Sequence, residues 1–173
     1  DSKDVEVETI EVPEGCKYLT EFMSELPADC WFDKKSTGCG MTSLAIMSKG
    51  KCVIALPYIS AIKGKTEWCR QNGYDVFPVH SSEGGRRVED LDYFTGDTIL
   101  CTYDKLAQVA KELGIAARRD WSLLVDEAHT LVSKADFRDK AVDSVIQSLR
   151  MFKQFTLGTA TPPSVEQLIG QLR

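Results

Sequence analysis

The sequence contains no window of ~18 consecutive apolar residues, so it offers no candidate for a membrane-spanning helix. Its first residues, Asp1-Ser2-Lys3-Asp4-Val5, lack the basic-then-apolar layout of a secretory signal, and they lack an initiator Met, as a cut or processed fragment would. Histidine is scarce, only His80 and His129, and the six cysteines include no C-x-x-C pair, so the ligand spacing of a zinc site is missing. Positive charge is not in excess either. The 21 Lys and Arg against 26 Asp and Glu give −5, which excludes the strongly basic balance of a chain living on nucleic-acid phosphates alone. There is no internal repeat and no low-complexity segment.

What is present is a globular composition, 43% apolar and 27% charged, in 173 residues, enough for one ordinary domain and too few for two. Cys52 and Cys101 lie inside apolar runs as small buried hydrophobes, and the cysteine pattern as a whole places the protein in a reducing, cytoplasmic compartment. The charge is unevenly spread. Residues 1–15 hold six acids and one base, so 26 acids less 6 and 21 bases less 1 leave 20 of each in residues 16–173. The whole net charge sits in an N-terminal arm, whose apolar anchors Val5, Val7, Ile10 and Val12 suit an edge strand or an ordered arm.

Beyond Pro13-Glu14-Gly15, short apolar runs alternate with stretches of helical period. The runs are 30–32, 52–56, 76–79, 98–101, 121–125 and 155–157, each apolar on both faces, as strands covered by helices on two sides must be. The segments 42–48, 59–72, 103–113, 137–151 and 164–172 are expected to be helices. Leu106, Val109, Ala110 and Leu113 show the i, i+3, i+4, i+7 stripe. Strand and helix in alternation predict an α/β three-layer domain with a mostly parallel sheet, and ligands of such sheets bind just past the carboxyl ends of the strands.

The residues after three runs carry the chemistry. After the first comes Lys35-Ser36-Thr37-Gly38-Cys39-Gly40-Met41-Thr42-Ser43, close to the phosphate-loop pattern G-x-x-x-x-G-K-[ST]. Gly38 and Gly40 let the backbone curl so that N–H groups converge on an anion, and Thr42 supplies a hydroxyl for Mg²⁺. Two positions depart: Lys35 replaces the first Gly, and Met41 replaces the lysine. An ordinary Gly-rich strand-to-helix turn explains this segment equally well on its own. After the fifth run comes Asp126-Glu127-Ala128-His129. An acidic pair at the end of a buried strand needs a cation or a reacting water to serve, or else caps a helix. After the sixth comes Gly158-Thr159-Ala160-Thr161-Pro162-Pro163, where the threonines also read as caps.

Taken together and in this order, these segments resemble the first RecA-like ATPase domain of the superfamily 2 helicases of the DEAD/DEAH-box kind. The likeness covers residues 16–163. Pro57-Tyr58 and Thr102-Tyr103 resemble the two looser motifs that follow the second and fourth strands in that family. The resemblance implies a RecA-like P-loop NTPase fold with ATP and Mg²⁺ as cofactors. Thr37, Gly38, Cys39, Gly40, Met41, Thr42 and Ser43 would line the nucleotide, Thr42 and Asp126 would hold the metal, and Glu127 would activate water with Asp126 beside it. His129, Thr159 and Thr161 would couple nucleotide state to movement. Pro57, Tyr58, Thr102 and Tyr103 would grip a nucleic-acid backbone, DNA rather than RNA, with plain packing at the top of the sheet as the other reading of both tyrosines. It further implies a second RecA-like lobe in the same parent chain, bringing an arginine finger that residues 166–173 do not resemble.

Met41 is the main departure, since a thioether cannot neutralise phosphate charge as an ammonium does. Three accounts compete: an introduced knock-out, a natural variant in which Lys34 or Lys35 swings in from the other side of the loop, or a domain that lost hydrolysis and kept its fold. For Arg86 and Arg87 a solvated loop is the expectation, and for His80 a satisfied, partly buried imidazole.

Overall fold

A computed structural model describes residues 8–34, 40–133 and 140–159. Each of the six apolar runs is a strand: β1 (Cys30–Asp33), β2 (Lys51–Leu56), β3 (Val76–Val79), β4 (Thr98–Thr102), β5 (Trp121–Val125) and β6 (Gln154–Thr159). They form one sheet in the order β1-β6-β5-β2-β4-β3, and every neighbouring pair is parallel. The chain therefore starts at one edge, steps across to β2 and on to β3 at the other edge, and fills β4, β5 and β6 on its way back.

The helices are α1 (Met41–Met47), α2 (Ile59–Gln71), α3 (Leu106–Leu113), α4 (Ile115–Asp120), α5 (Thr130–Ser133) and α6 (Lys140–Ser148). Crossovers of one hand put their helices on opposite faces when the direction of travel reverses. Two separate cores result. On one face Met41, Leu44, Ala45 and Ile46 of α1 and Ile62 and Cys69 of α2 pack on Cys52, Ile54, Leu56, Leu100 and Leu124. On the other, Leu106, Val109 and Ala110 of α3, Ala117 of α4 and Val142 and Val145 of α6 pack on Val53, Ala55, Ile99, Cys101, Leu123 and Val125. Alternate residues of one strand thus enter different layers, which is why the strands are apolar throughout. The result is a three-layer α/β domain, consistent with the RecA-like arrangement expected from the sequence.

Several boundaries differ from those expectations. Residues 8–13 have no regular secondary structure and are exposed, so no edge strand forms there; residues 1–7 lie outside the described residues. The segment expected as one helix over 103–113 divides into a 3-10 turn, Tyr103–Lys105, and α3, because β4 extends through Thr102 and the chain turns sharply off the strand end. Gly114, at φ +57°, ends α3, and the six-residue α4 that follows has no counterpart in the helical pattern of the sequence. Of 137–151, residues 140–148 are α6 and Leu149–Met151 a 3-10 turn. The expected helix at 164–172 lies outside the described residues. Among the described residues no helix is long and apolar enough to cross a membrane.

Candidate functional site

The helix that follows β1, α1, packs on one face of the sheet, and Leu131 of α5, which follows β5, packs on the other. Only β6 lies between these strands, so a crevice opens at their carboxyl ends. A cleft of about 440 Å³ occupies it, within the range of small-ligand sites. It is lined by Lys34, Thr42, Ser43, Asp126 and Glu127 and by Tyr18, Thr20, Lys65 and Trp68, with Gly40, Met41 and Met47 beside them.

The backbone fixes both acidic residues. The N–H of Asp126 donates to the Ala55 carbonyl at 3.0 Å, prolonging the β5–β2 ladder by one bond. Glu127 then adopts φ +56°, a left-handed conformation rare for a residue with a side chain. That turn lets the Ala128 N–H reach the Gly158 carbonyl at 2.9 Å, while the Asp126 carboxylate accepts the Glu127 N–H at 3.0 Å. Strained backbone of this kind gathers at functional sites. The Tyr103 hydroxyl donates to the Asp126 carbonyl, and the Thr130 hydroxyl donates to the Glu127 carbonyl at 3.0 Å.

Lys34 completes the floor. Its N–H donates to the Thr159 carbonyl at 2.9 Å, so β6 holds its backbone. Its ammonium lies 3.1 Å from Asp126 Oδ1 and 3.4 Å from Glu127 Oε1, with the side chain only 6% exposed. Buried charges persist when they are paired and hydrogen-bonded, and this arrangement supplies both. His129 extends the network: Nδ1 lies 3.0 Å from the Thr159 hydroxyl and Nε2 3.5 Å from Glu127 Oε2, linking the ends of β5 and β6 through one imidazole.

Met41, at the position where a phosphate loop carries lysine, turns the other way. It is 2% exposed, within the core cluster beneath α1, with its sulfur against Gly158. Gly40 before it has φ +84°, the left-handed bend that starts α1, and the Leu44 N–H closes the first helical turn on its carbonyl at 2.8 Å. Thr42 and Ser43 are half-buried and face the cleft. Of the other residues expected around a nucleotide, Thr37, Gly38 and Cys39 lie outside the described residues, as does Thr161.

The sequence matches no protein-family model and no curated protein.

Several residues of the cleft carry no motif. Lys65 on α2 donates from its ammonium to the Ser43 hydroxyl at 3.2 Å and lies 4.6 Å from the centre of the Trp68 ring. Burial holds its pKa below the ordinary lysine range, against the opposing pull of Cys69 and Asp126. The one available signal was the i, i+3 spacing of Lys65 and Trp68, which shares a helix face. Trp68 stacks on Tyr74 with centroids 5.7 Å apart. Tyr18 and Thr20 reach the rim through the 3-10 turn Leu19–Glu21, pinned by Glu21, whose carboxylate accepts the N–H groups of Lys17 and Tyr18, both at 2.6 Å.

The candidate nucleic-acid residues separate. Tyr58, before α2, is 61% exposed, and Pro57 is half-buried beside it. Thr102 and Tyr103 are both buried: β4 runs through Thr102, and the Tyr103 hydroxyl donates to the Asp126 carbonyl, as the packing reading of that tyrosine expects. Arg86 lies over the Phe77 ring at 4.4 Å, and exposed Arg87 pairs with Glu89 at 3.6 Å. His80 is buried and its Nδ1 accepts the Ser82 N–H at 3.2 Å, a satisfied histidine.

Asp126, Glu127 and Thr42 present only oxygen, the preference of a hard divalent cation such as Mg²⁺, and Lys34 and Lys65 provide two cations for an anionic ligand.

Proposed function

We propose that this domain is the ATP-binding lobe of an ATP-dependent nucleic-acid helicase or translocase, with DNA the favoured track. One observation carries the reading: Lys34, Thr42, Ser43, Asp126 and Glu127, from two distant segments, converge on one cleft at the carboxyl ends of parallel strands. Thr42 and Asp126 are the residues that would hold Mg²⁺, which when bound neutralises phosphate charge and polarises the terminal phosphoryl group. Glu127 would accept the proton of the water that attacks the terminal phosphorus as the bond to the bridging oxygen breaks and ADP leaves with its electron pair, and the nearby carboxylate of Asp126 keeps the site anionic. His129 senses Glu127 on one ring nitrogen and Thr159 on the other, so a change at the carboxylate is felt at the end of β6. A second RecA-like lobe in the parent chain would supply the cationic group that such sites draw from outside.

The burial of Met41 favours one further reading, a nucleotide- or nucleic-acid-binding scaffold that no longer hydrolyses. Loss of a charge-assisted phosphate contact costs ~1.5–3 kcal/mol in binding and more in the transition state. Steady-state ATPase of the longest native chain, with and without single-stranded and duplex DNA, separates the two. DNA-stimulated turnover abolished by Glu127→Gln supports the motor. Nucleotide binding without turnover, with turnover appearing in Met41→Lys, supports the scaffold. A chain that binds neither ATP nor DNA refutes both.

A further inference from the structure

Resting on that reading of the cleft, we propose that Lys34 is a movable cation that stands in for the missing phosphate-loop lysine, capping the Asp126–Glu127 pair in the empty site and transferring to the phosphates when metal and nucleotide enter.

The geometry provides the three things this needs. The first is a fixed base: the Lys34 backbone is tied to Thr159 of β6, so the ammonium can move only through its side chain. A lysine stem of four methylenes with a compact charge at its end is suited to that. The second is a held position with a reason to leave it. One ammonium spans two carboxylate oxygens at 3.1 and 3.4 Å, leaving the trio with a net negative charge that attracts a divalent cation to the same oxygens. Metal and lysine therefore compete for Asp126. The third is a nearby destination: Lys34 lines the same cleft as Thr42 and Ser43. Met41 occupies the usual lysine position and is sealed against Gly158, and Lys65 is engaged with Ser43 and Trp68. A structural ion pair would predict instead that Lys34 stays on the carboxylates whatever enters.

The test uses Mn²⁺ alone and Mg²⁺ with a fluorescent ATP analogue, on the wild type, Lys34→Met and Lys34→Arg. Lys34→Met should bind Mn²⁺ more tightly by about tenfold, because the competitor is gone, and bind the nucleotide more weakly by at least tenfold, the scale of a lost charged contact. Lys34→Arg should keep nucleotide affinity within a few-fold. Lysine acylation mapped by mass spectrometry covers the case in which Lys34→Met does not fold. In the wild type, Lys34 should be protected without ligand, labelled on adding Mn²⁺ alone, and protected again once ATP is added. Unchanged labelling with Mn²⁺, or equal nucleotide binding by wild type and Lys34→Met, overturns the proposal. Failure of the wild type to bind ATP at all overturns the nucleotide reading instead, and leaves the Mn²⁺ competition to judge the lysine.

Discussion

Met41 and Gly158 share one volume: a Cβ built on Gly158 would overlap the Met41 sulfur. The thioether of α1 thus sits in a notch that β6 keeps open by having no side chain there. Filling the notch must eject the methionine. Gly158→Ala should destabilise the domain by ~1–3 kcal/mol, the usual cost of overpacking a core. Met41→Ala alone should cost ~2–5 kcal/mol for the cavity it leaves. In the double variant the new methyl enters that cavity, so the two costs should fall short of their sum by at least ~0.5 kcal/mol. Urea denaturation of the four proteins measures this, and strict additivity would show that the two side chains do not compete.

Tyr103 supports the acidic pair from below by donating to the Asp126 carbonyl. Tyr103→Phe keeps the ring and removes the donor, leaving a buried acceptor unpaired at a cost of ~1–3 kcal/mol. The melting temperature should fall while affinity for single-stranded DNA stays unchanged, since the ring is buried. Weaker DNA binding with no loss of stability would restore the contact role that the sequence left open for this tyrosine.

These two cases show where the sequence was informative. The strands were legible to within about two residues because burial on both faces imposes an unbroken apolar run, and the position rule for parallel sheets then singled out Thr42, Asp126 and Glu127. Lys34 was legible only as one of two adjacent lysines. Choosing between them depends on how far the β1–β6 ladder extends, a property of the pairing and not of either residue. Lys65 had no motif to mark it, because its place at the rim follows from how α2 is rotated on the sheet. The helix α4 escaped because Gly114 interrupts the period and six residues are too few to establish a new one. Thr102 and Tyr103 could not be assigned to surface or interior without knowing that β4 runs one residue further than its apolar run.

Thiol chemistry should report the same layering. Only the thiolate reacts, and burial pushes Cys52 up to about 12 and drives Cys101 higher still. At pH 8 the Cys52 thiol is therefore held in its neutral, unreactive form. Cys69 and Cys30 are also raised, mainly by burial. Among the cysteines of the described residues, alkylation followed by peptide mapping should therefore label half-buried Cys16 first and Cys30 more slowly, with Cys52, Cys69 and Cys101 silent until the domain unfolds. Early labelling of Cys52 or Cys101 would mean that the two cores open far more readily than their packing implies.

His80 should make stability depend on pH in a defined direction. Its imidazole is buried at the end of β3 with Nδ1 accepting the Ser82 N–H, and Gly85 lies so close that a Cβ there would overlap the His80 carbonyl. Burial, with the charge of Lys63 as a lesser cause, lowers its pKa from the model-peptide value of 6.5. Below that value the unfolded chain takes up a proton that the folded one resists, so the unfolded state binds more protons and stability falls as pH falls. The contribution is fully present above about 6.5 and is lost progressively below it. His80→Asn keeps an acceptor for the Ser82 N–H and does not titrate in this range. Urea midpoints from pH 7.5 to 5 should drop more steeply for the wild type than for the variant, and the difference isolates His80 from His129 and from the carboxylates. Parallel curves would mean that the imidazole takes up its proton as easily in the folded domain as in the unfolded chain.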